Sequence, residues 1–241
     1  MKRINRVLMG SAALALVAGV GHADVIDLTF EGLAPTYPFT SSTTFVQNFY
    51  NGGTSSAGVT GPSDGITFSA NALNICLNTP GVACSNTSRG GLGDPNSQHG
   101  GLFFLSGAQT FMNVAAGFTT GFSFNHSNVN DVGSVSVFTG LSGTGTMLAT
   151  LSIPTTVSAC TSAYAASFCP FSADGIAFAG LAHSVSFAGV ENQIVFDDVT
   201  FGSSTPGPAP APSSPEPSSL AVIGTALAAL GAARRKRRQN R

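Results

Sequence analysis

The feature that most limits what this chain can fold into is a two-residue alternation, repeated in short runs. In "VIDLTF" (25–30), Ile26, Leu28 and Phe30 alternate with Asp27 and Thr29. "GITFSA" (65–70), "GSVSVF" (133–138), "TMLATLSI" (146–153), "HSVSFAG" (183–189) and "NQIVFDDVTF" (192–201) behave in the same way, and "GLFFL" (101–105) and "AGFTTGFSFN" (116–125) add aromatic-rich runs. Period two sends alternate side chains to opposite faces of a pleated strand, whereas a helix needs apolar residues at i, i+3, i+4 and i+7. No stretch between Asp24 and Thr205 keeps the helical spacing convincingly. The clusters "NGGTSSAG", "RGGLGDPNSQHGG", "GLSGTGT" and "SADG" separate the runs and supply turn-forming residues. About ten short strands joined by such turns predict an all-β domain, a two-sheet antiparallel sandwich of jelly-roll type. The 29 glycines and 18 phenylalanines fit that expectation, glycine turning the chain and phenylalanine filling the space between sheets.

Charge is segregated along the chain. Lys2, Arg3 and Arg6 stand at the front, and Arg234, Arg235, Lys236, Arg237, Arg238 and Arg241 at the back. Between Asp24 and Ser214 the single cation Arg89 faces ten acids, a net −9 hidden within the whole-chain −1. A surface of that sign repels phosphate backbones, which argues against nucleic acid as a partner.

The front cluster belongs to a leader. "MKRINR" is a charged stretch, "VLMGSAALALVAGV" an apolar one, and "GHA" places Gly21 and Ala23 at the small positions of a cleavage site before Asp24. Residues 1–23 therefore read as a helical secretory signal peptide, and the mature chain is expected to begin near Asp24, outside the cytoplasm. Cysteine usage agrees with an oxidising compartment. Cys76/Cys84 and Cys160/Cys169 form two local pairs without C-x-x-C spacing. Four cysteines allow three connectivities, and the simplest closes each local loop. A nine-residue closed loop contributes about 2.5 kcal/mol in the chain-entropy model. The alternative is four free buried thiols.

The sandwich is expected over residues 24–202. A Pro/Ser/Ala linker follows over 203–214, too poor in bulky apolar residues to build a core. Pro215, Glu216 and Pro217 come next, and the uncharged run Leu220–Ala233 leads into the basic tail 234–241. The run would be about 21 Å long as a helix, against a hydrocarbon core of about 30 Å. Counting Ser218 and Ser219, residues 218–233 form a short transmembrane segment, with Arg234 snorkelling. The basic cluster Arg234, Arg235, Lys236, Arg237 and Arg238 would stay cytoplasmic, leaving the domain outside.

The order of motif, apolar run and basic cluster resembles the PEP-CTERM sorting signal of Gram-negative bacteria. That resemblance implies recognition by an exosortase, a membrane-embedded cysteine transpeptidase. It also implies a transient inner-membrane anchor and export to the cell surface or extracellular matrix. The opening "IDLTFEG" and the closing "NQIVFDDVTFG" are similar to the first and last strands of many such exported proteins and of jelly-roll carbohydrate-binding modules. The second similarity implies a structural calcium ion. Its ligands would fall at Thr29 through the backbone, at Glu31 and at Asp197, with Asp198 the neighbour. Hard oxygen donors on adjacent terminal strands suit Ca2+. Alternation places Asp27, Thr29 and Glu31 together away from the core, so the same acids read equally well as solvated strand ends.

Other chemistry is absent from the sequence. There is no H-E-x-x-H and no P-loop, which would need a lysine the body lacks. "NVNDVG" (128–133) has its glycine one place early for a calcium loop. His99, His126 and His183 are scattered singly and read as ordinary surface or packed histidines. No tryptophan and only Tyr37, Tyr50 and Tyr164 are present to stack on sugars. The favoured reading is an exported surface or biofilm-matrix protein with no enzymatic activity, associated with exopolysaccharide. A glycan-binding module is the alternative, and a glycoside hydrolase, which needs paired carboxylates across a cleft, ranks below both. Protein matured in an oxidising compartment should show no free thiol, and proteolysis should yield peptides linked Cys76–Cys84 and Cys160–Cys169. Peptides joining one pair to the other would refute the local pairing.

Overall fold

The computed structural model describes residues 25–37, 43–77, 99–128, 130–156 and 171–207. The expected signal peptide, the chain beyond Gly207 with the Pro-Glu-Pro motif and basic cluster, and Cys84, Cys160 and Cys169 lie outside the described residues. Among the described residues no helix is long and apolar enough to cross a membrane.

The described chain forms two antiparallel sheets. The larger contains β1 (Ile26–Leu28), β2 (Thr43–Phe45), β4 (Leu73–Cys76), β5 (Gly100–Phe103), β7 (Gly121–Asn128), β10 (Ser172–Ala177) and β12 (Ile194–Phe201). Its order is β10-β7-β12-β5-β4-β2, with β1 also paired to β12. The smaller sheet runs β3-β6-β11-β8-β9, from β3 (Ile66–Phe68), β6 (Gln109–Phe118), β11 (Ala182–Ala188), β8 (Gly133–Phe138) and β9 (Met147–Ile153). A single 3-10 turn, Leu141–Gly143, joins β8 to β9. From β6 onward the chain repeatedly crosses between sheets, so strands distant in sequence become neighbours.

Alternation explains the packing. Phe122, Phe124 and Phe196 of the larger sheet meet Met112, Val135, Val185 and Phe187 of the smaller in one buried cluster. Phe187 and Phe196 bridge the layers with ring centroids 4.8 Å apart. Burying each such side chain contributes roughly 1.5–3 kcal/mol, so this inter-sheet seam is the main source of cohesion. A second cluster of Leu73, Ile75, Leu77, Phe103 and Val195, with Phe171 against it, lies on the opposite face of the larger sheet. Strands β5 and β12 are consequently buried on both faces.

The expected two-sheet architecture is present, with local corrections. "AGFTTGFSFN" is not one strand: β6 ends at Phe118 and β7 starts at Gly121. Thr120, at φ 77°, makes the corner between them. "SADG" is not a turn but lies inside β10. Gly175 is there because a side chain would collide with the Ser204 carbonyl, where the chain leaving β12 doubles back over the sheet. The short β2 and β4 carried too few alternating residues to be read. Cys76, almost fully buried, is disulfide-bonded, and its partner lies outside the described residues.

Candidate functional site

The first and last strands meet, and half of the described acids gather where they do. Strand β1 pairs with the end of β12 through Ile26–Phe201, Asp27–Thr200 and Leu28–Val199. Upstream, the same edge of β12 pairs with β5 at Phe196–Leu102. Between these contacts β12 carries a bulge: its register against β7 slips between Asp197 and Thr200, and Asp198 sits at φ 42°. The extra residue re-aims the side chains around it.

Asp197 and Asp198 are both fully buried, so the picture of solvated strand-end acids fails for these two. The Asp198 N–H donates to Asp197 Oδ1 at 2.8 Å, and the Asn125 amide donates to Asp198 Oδ2 at 3.1 Å. The Thr200 hydroxyl lies 3.0 Å from Asp27 Oδ1 and 2.9 Å from the Asp198 carbonyl, so its one proton serves one of them at a time. Burial, and then the negative charge of Asp198, pushes the Asp27 carboxyl from 3.8 up to about 6.

The simple alternation expected through Glu31 also stops early. Strand β1 ends at Leu28, and Phe30 adopts φ 53° while fully buried. That conformation is costly for a bulky residue, and the surroundings hold it from several sides. The Phe30 N–H donates to Tyr50 Oη at 3.0 Å, and its carbonyl accepts the Asn74 amide at 2.9 Å. Gly100 is side-chain-free where the Phe30 carbonyl approaches. The turn delivers Glu31 to β5: its Oε1 accepts the N–H of His99 at 2.6 Å and of Gly100 at 3.2 Å. Its Oε2 lies 3.4 Å from His99 Nδ1. The His99 ring stacks on Tyr37 at 4.8 Å, and the Gly32 N–H donates to Tyr37 Oη at 3.2 Å.

Burial first, and then the Glu31 charge, pushes the Tyr37 phenol up, with Asp197 adding to it. Burial likewise raises the Tyr50 phenol, and both Asp197 and Glu31 add to that. Glu31 and Asp197 therefore share one neighbourhood around two tyrosines. Asp198 is directed instead to Asn125 and Asp27. Thr29 joins β1 to the Phe30 turn and is half-buried.

As a donor set, Glu31 and Asp197 offer hard oxygens of the kind Ca2+ takes, to which a backbone carbonyl such as that of Thr29 could add. One Glu31 oxygen already receives two backbone N–H groups. No group of three or more His, Cys, Asp or Glu side chains suited to a metal occurs among the described residues.

Sequence reading missed Tyr50, Asn74, Gly100 and Asn125, which hold the site together; His126 is one of the packed histidines it expected, but its partners were not legible. That histidine is fully buried in a central strand, bonded to Asn128 and Asp174. The available signal was the polar run Asn125–Asn128 at the end of an otherwise aromatic strand. No known protein family matches the chain, and no curated protein matches it.

The raised Asp27 carboxyl has a defined consequence. A group whose folded value exceeds its unfolded one stabilises fully below about pH 3.8 and loses that contribution as pH rises through about 6. In calcium-free buffer, the melting temperature of the wild type minus that of Asp27→Asn should therefore fall between pH 5 and pH 7. Thermal melts of both proteins check this, and a constant difference would show that Asp27 is not held in a charge-averse setting.

Proposed function

We propose that this chain is an exported surface or matrix protein whose β-sandwich is cargo for a C-terminal PEP-CTERM sorting signal. The observation that carries the reading is the order of Pro215-Glu216-Pro217, the uncharged run Leu220–Ala233 and the basic cluster Arg234–Arg238. In this reading the apolar run is a short span held in the inner membrane while an exosortase acts, with the basic cluster on the cytoplasmic side. The leader, residues 1–23, starts export, and the linker 203–214 spaces the domain from the membrane.

A body dominated by two packed sheets, with its polar clusters engaged in internal hydrogen bonds, supports display rather than catalysis. Disulfide-bonded Cys76 supports an oxidising destination. The jelly-roll character of the sandwich and its association with exopolysaccharide belong to the same reading. Mass spectrometry of surface material should find a mature start near Asp24 and loss of the segment after the motif. Glu216→Ala should strand the precursor in the inner membrane. Intact Leu220–Arg241 peptides as the main surface species would sink the sorting reading.

The junction of β1 and β12 supports a structural role for calcium, with Glu31 and Asp197 as side-chain ligands and Thr29 as a backbone ligand. Asp198 would act as a neighbouring charge. An ion bound only to the folded state stabilises by about 2.7 kcal/mol at a hundredfold excess over Kd. For a domain of this size each kcal/mol is about 2–4 °C of melting temperature. EDTA should thus lower Tm by several degrees. Glu31→Gln and Asp197→Asn should each abolish that calcium dependence, whatever they do to the baseline. A melting curve unchanged between EDTA and millimolar calcium would remove the ion from the proposal.

A further inference from the structure

The buried polar group that neither reading uses is His126, whose ring faces the sandwich interior with its centroid 5.8 Å from that of Phe124. Both ring nitrogens meet oxygen. Nδ1 lies 2.8 Å from Asn128 Oδ1, and Nε2 lies 2.8 Å from Asp174 Oδ2. The Asn128 amide cannot be turned round, because its Nδ2 donates to the carbonyls of Asp131 at 3.3 Å and Ile153 at 3.5 Å. Carbonyls only accept, so the atom facing His126 is an acceptor and Nδ1 carries a hydrogen. The contact with Asp174 then needs a second proton, on Nε2 or on the carboxyl. Otherwise two lone-pair atoms would face each other at 2.8 Å. The pair holds one proton more than a neutral imidazole and a free carboxylate together.

We propose that this shared proton is a latch on strand β10. While it is bound, β10 and the segment by which the chain leaves the sandwich are fastened; when it is lost, both loosen.

Strand β10 is suited to such control. It is an edge strand, paired with β7 among the described residues, and none of its six residues is buried. Phe171 and Phe178 pack on the apolar clusters at its two ends, and between them the Asp174 bond to His126 is the side-chain anchor that ties the strand inward. On its other face Gly175 leaves room for the Ser204 carbonyl, and the Ser123 hydroxyl on β7 donates to the Ser203 carbonyl at 3.0 Å. The exit segment Ser203–Gly207 therefore lies over β7 and β10 and depends on their position. Asp174 is already 33% exposed, so once the proton leaves it can turn to water without breaking the core.

The charged groups on the elements packed around the ring are acidic. On β12, Asp197 and Asp198 follow Phe196, which pairs with His126. The loop after β7 contributes Asp131, whose carbonyl accepts the Asn128 amide. Strands β8 and β9 contain no titratable side chain. His183 on β11 is engaged elsewhere, 3.3 Å from the Val114 carbonyl. Every other charged group on these elements is negative, so loss of the proton leaves Asp174 among like charges.

Hydrogen exchange of the full-length protein across about pH 5 to 9, corrected for intrinsic rates, tests the latch. Protection of Ser172–Ala177 and of 203–207 should fall together as pH rises, by up to about tenfold per unit, the limit for one linked proton. Protection of β6 and β11 should hold. In Asp174→Asn the new amide can donate to Nε2 without a shared proton, so β10 should stay protected and lose its pH dependence. Wild-type β10 protection that is flat with pH, or that falls in step with β6 and β11, would overturn the proposal. So would pH-dependent release that persists in Asp174→Asn.

Discussion

Strand β12 is hydrogen-bonded on both edges, to β7 along one and to β5 and then β1 along the other. Its partners come from the beginning and middle of the chain, so the larger sheet closes only after residues such as Ile26 and Phe201 have met. Such non-local pairing makes folding slow and dependent on loop closure. Apolar clusters on the two sides of the sheet cover both faces of β12, so all eight of its residues are buried. The change of partner from β5 to β1 needs a step in the strand, and the bulge at Asp197–Asp198 supplies it.

That step has an electrostatic cost. Two adjacent carboxylates are buried in a body with one arginine and no lysine. Burying a charge is unfavourable unless hydrogen bonds or an opposite charge compensate. Asn125 and the Asp198 N–H supply part of the compensation. Glu31 is treated similarly by the N–H groups of His99 and Gly100. Neutral donors can stabilise a carboxylate, but they leave the net negative charge where it is. A cation placed at the junction would offset that charge.

What could be read from the sequence follows from range of interaction. Alternation in "GSVSVF" and "HSVSFAG" is local, and the strands fall where it placed them. "SADG" has the composition of a turn, yet it is an edge strand because the exit segment needs a glycine beneath it. That reason lies 29 residues away in the chain, between Gly175 and Ser204. Glu31 and Asp197 could be linked through resemblance to known terminal strands, but the positive φ of Phe30 that aims Glu31 at β5 depends on Tyr50, Asn74 and Gly100. His126 looked ordinary because nothing near it in sequence marks Asp174 as its partner, 48 residues on. Local pattern encodes the strands; the polar network depends on contacts that only topology creates.

Topology also bears on how such a domain would be handled during export. Ile26 at the start of β1 pairs with Phe201 at the end of β12, so both chain ends leave the sandwich at the same place. In the proposed reading the leader precedes one end and the sorting signal follows the other. A domain held by either segment would present the same end to the membrane, and removal of the leader would leave its orientation set by the linker alone. The first residues of that linker are themselves pinned to the sandwich: the Gly202 N–H donates to the Gly121 carbonyl at 3.0 Å, and the Gly207 N–H to the Thr200 hydroxyl at 3.1 Å. The pinned length fixes how far the Pro-Glu-Pro motif can stand from the folded body. Nine residues, from Gly207 to Pro215, separate the last described contact from the motif, counting both. At about 3.1 Å per residue in an extended proline-rich chain, that is a reach of roughly 25–28 Å. Loosening 203–207 through β10 would add about five residues, or roughly 15 Å. In the proposed reading, the pinning of 203–207 would therefore bear on the clearance between the domain and a membrane-embedded enzyme acting at the motif.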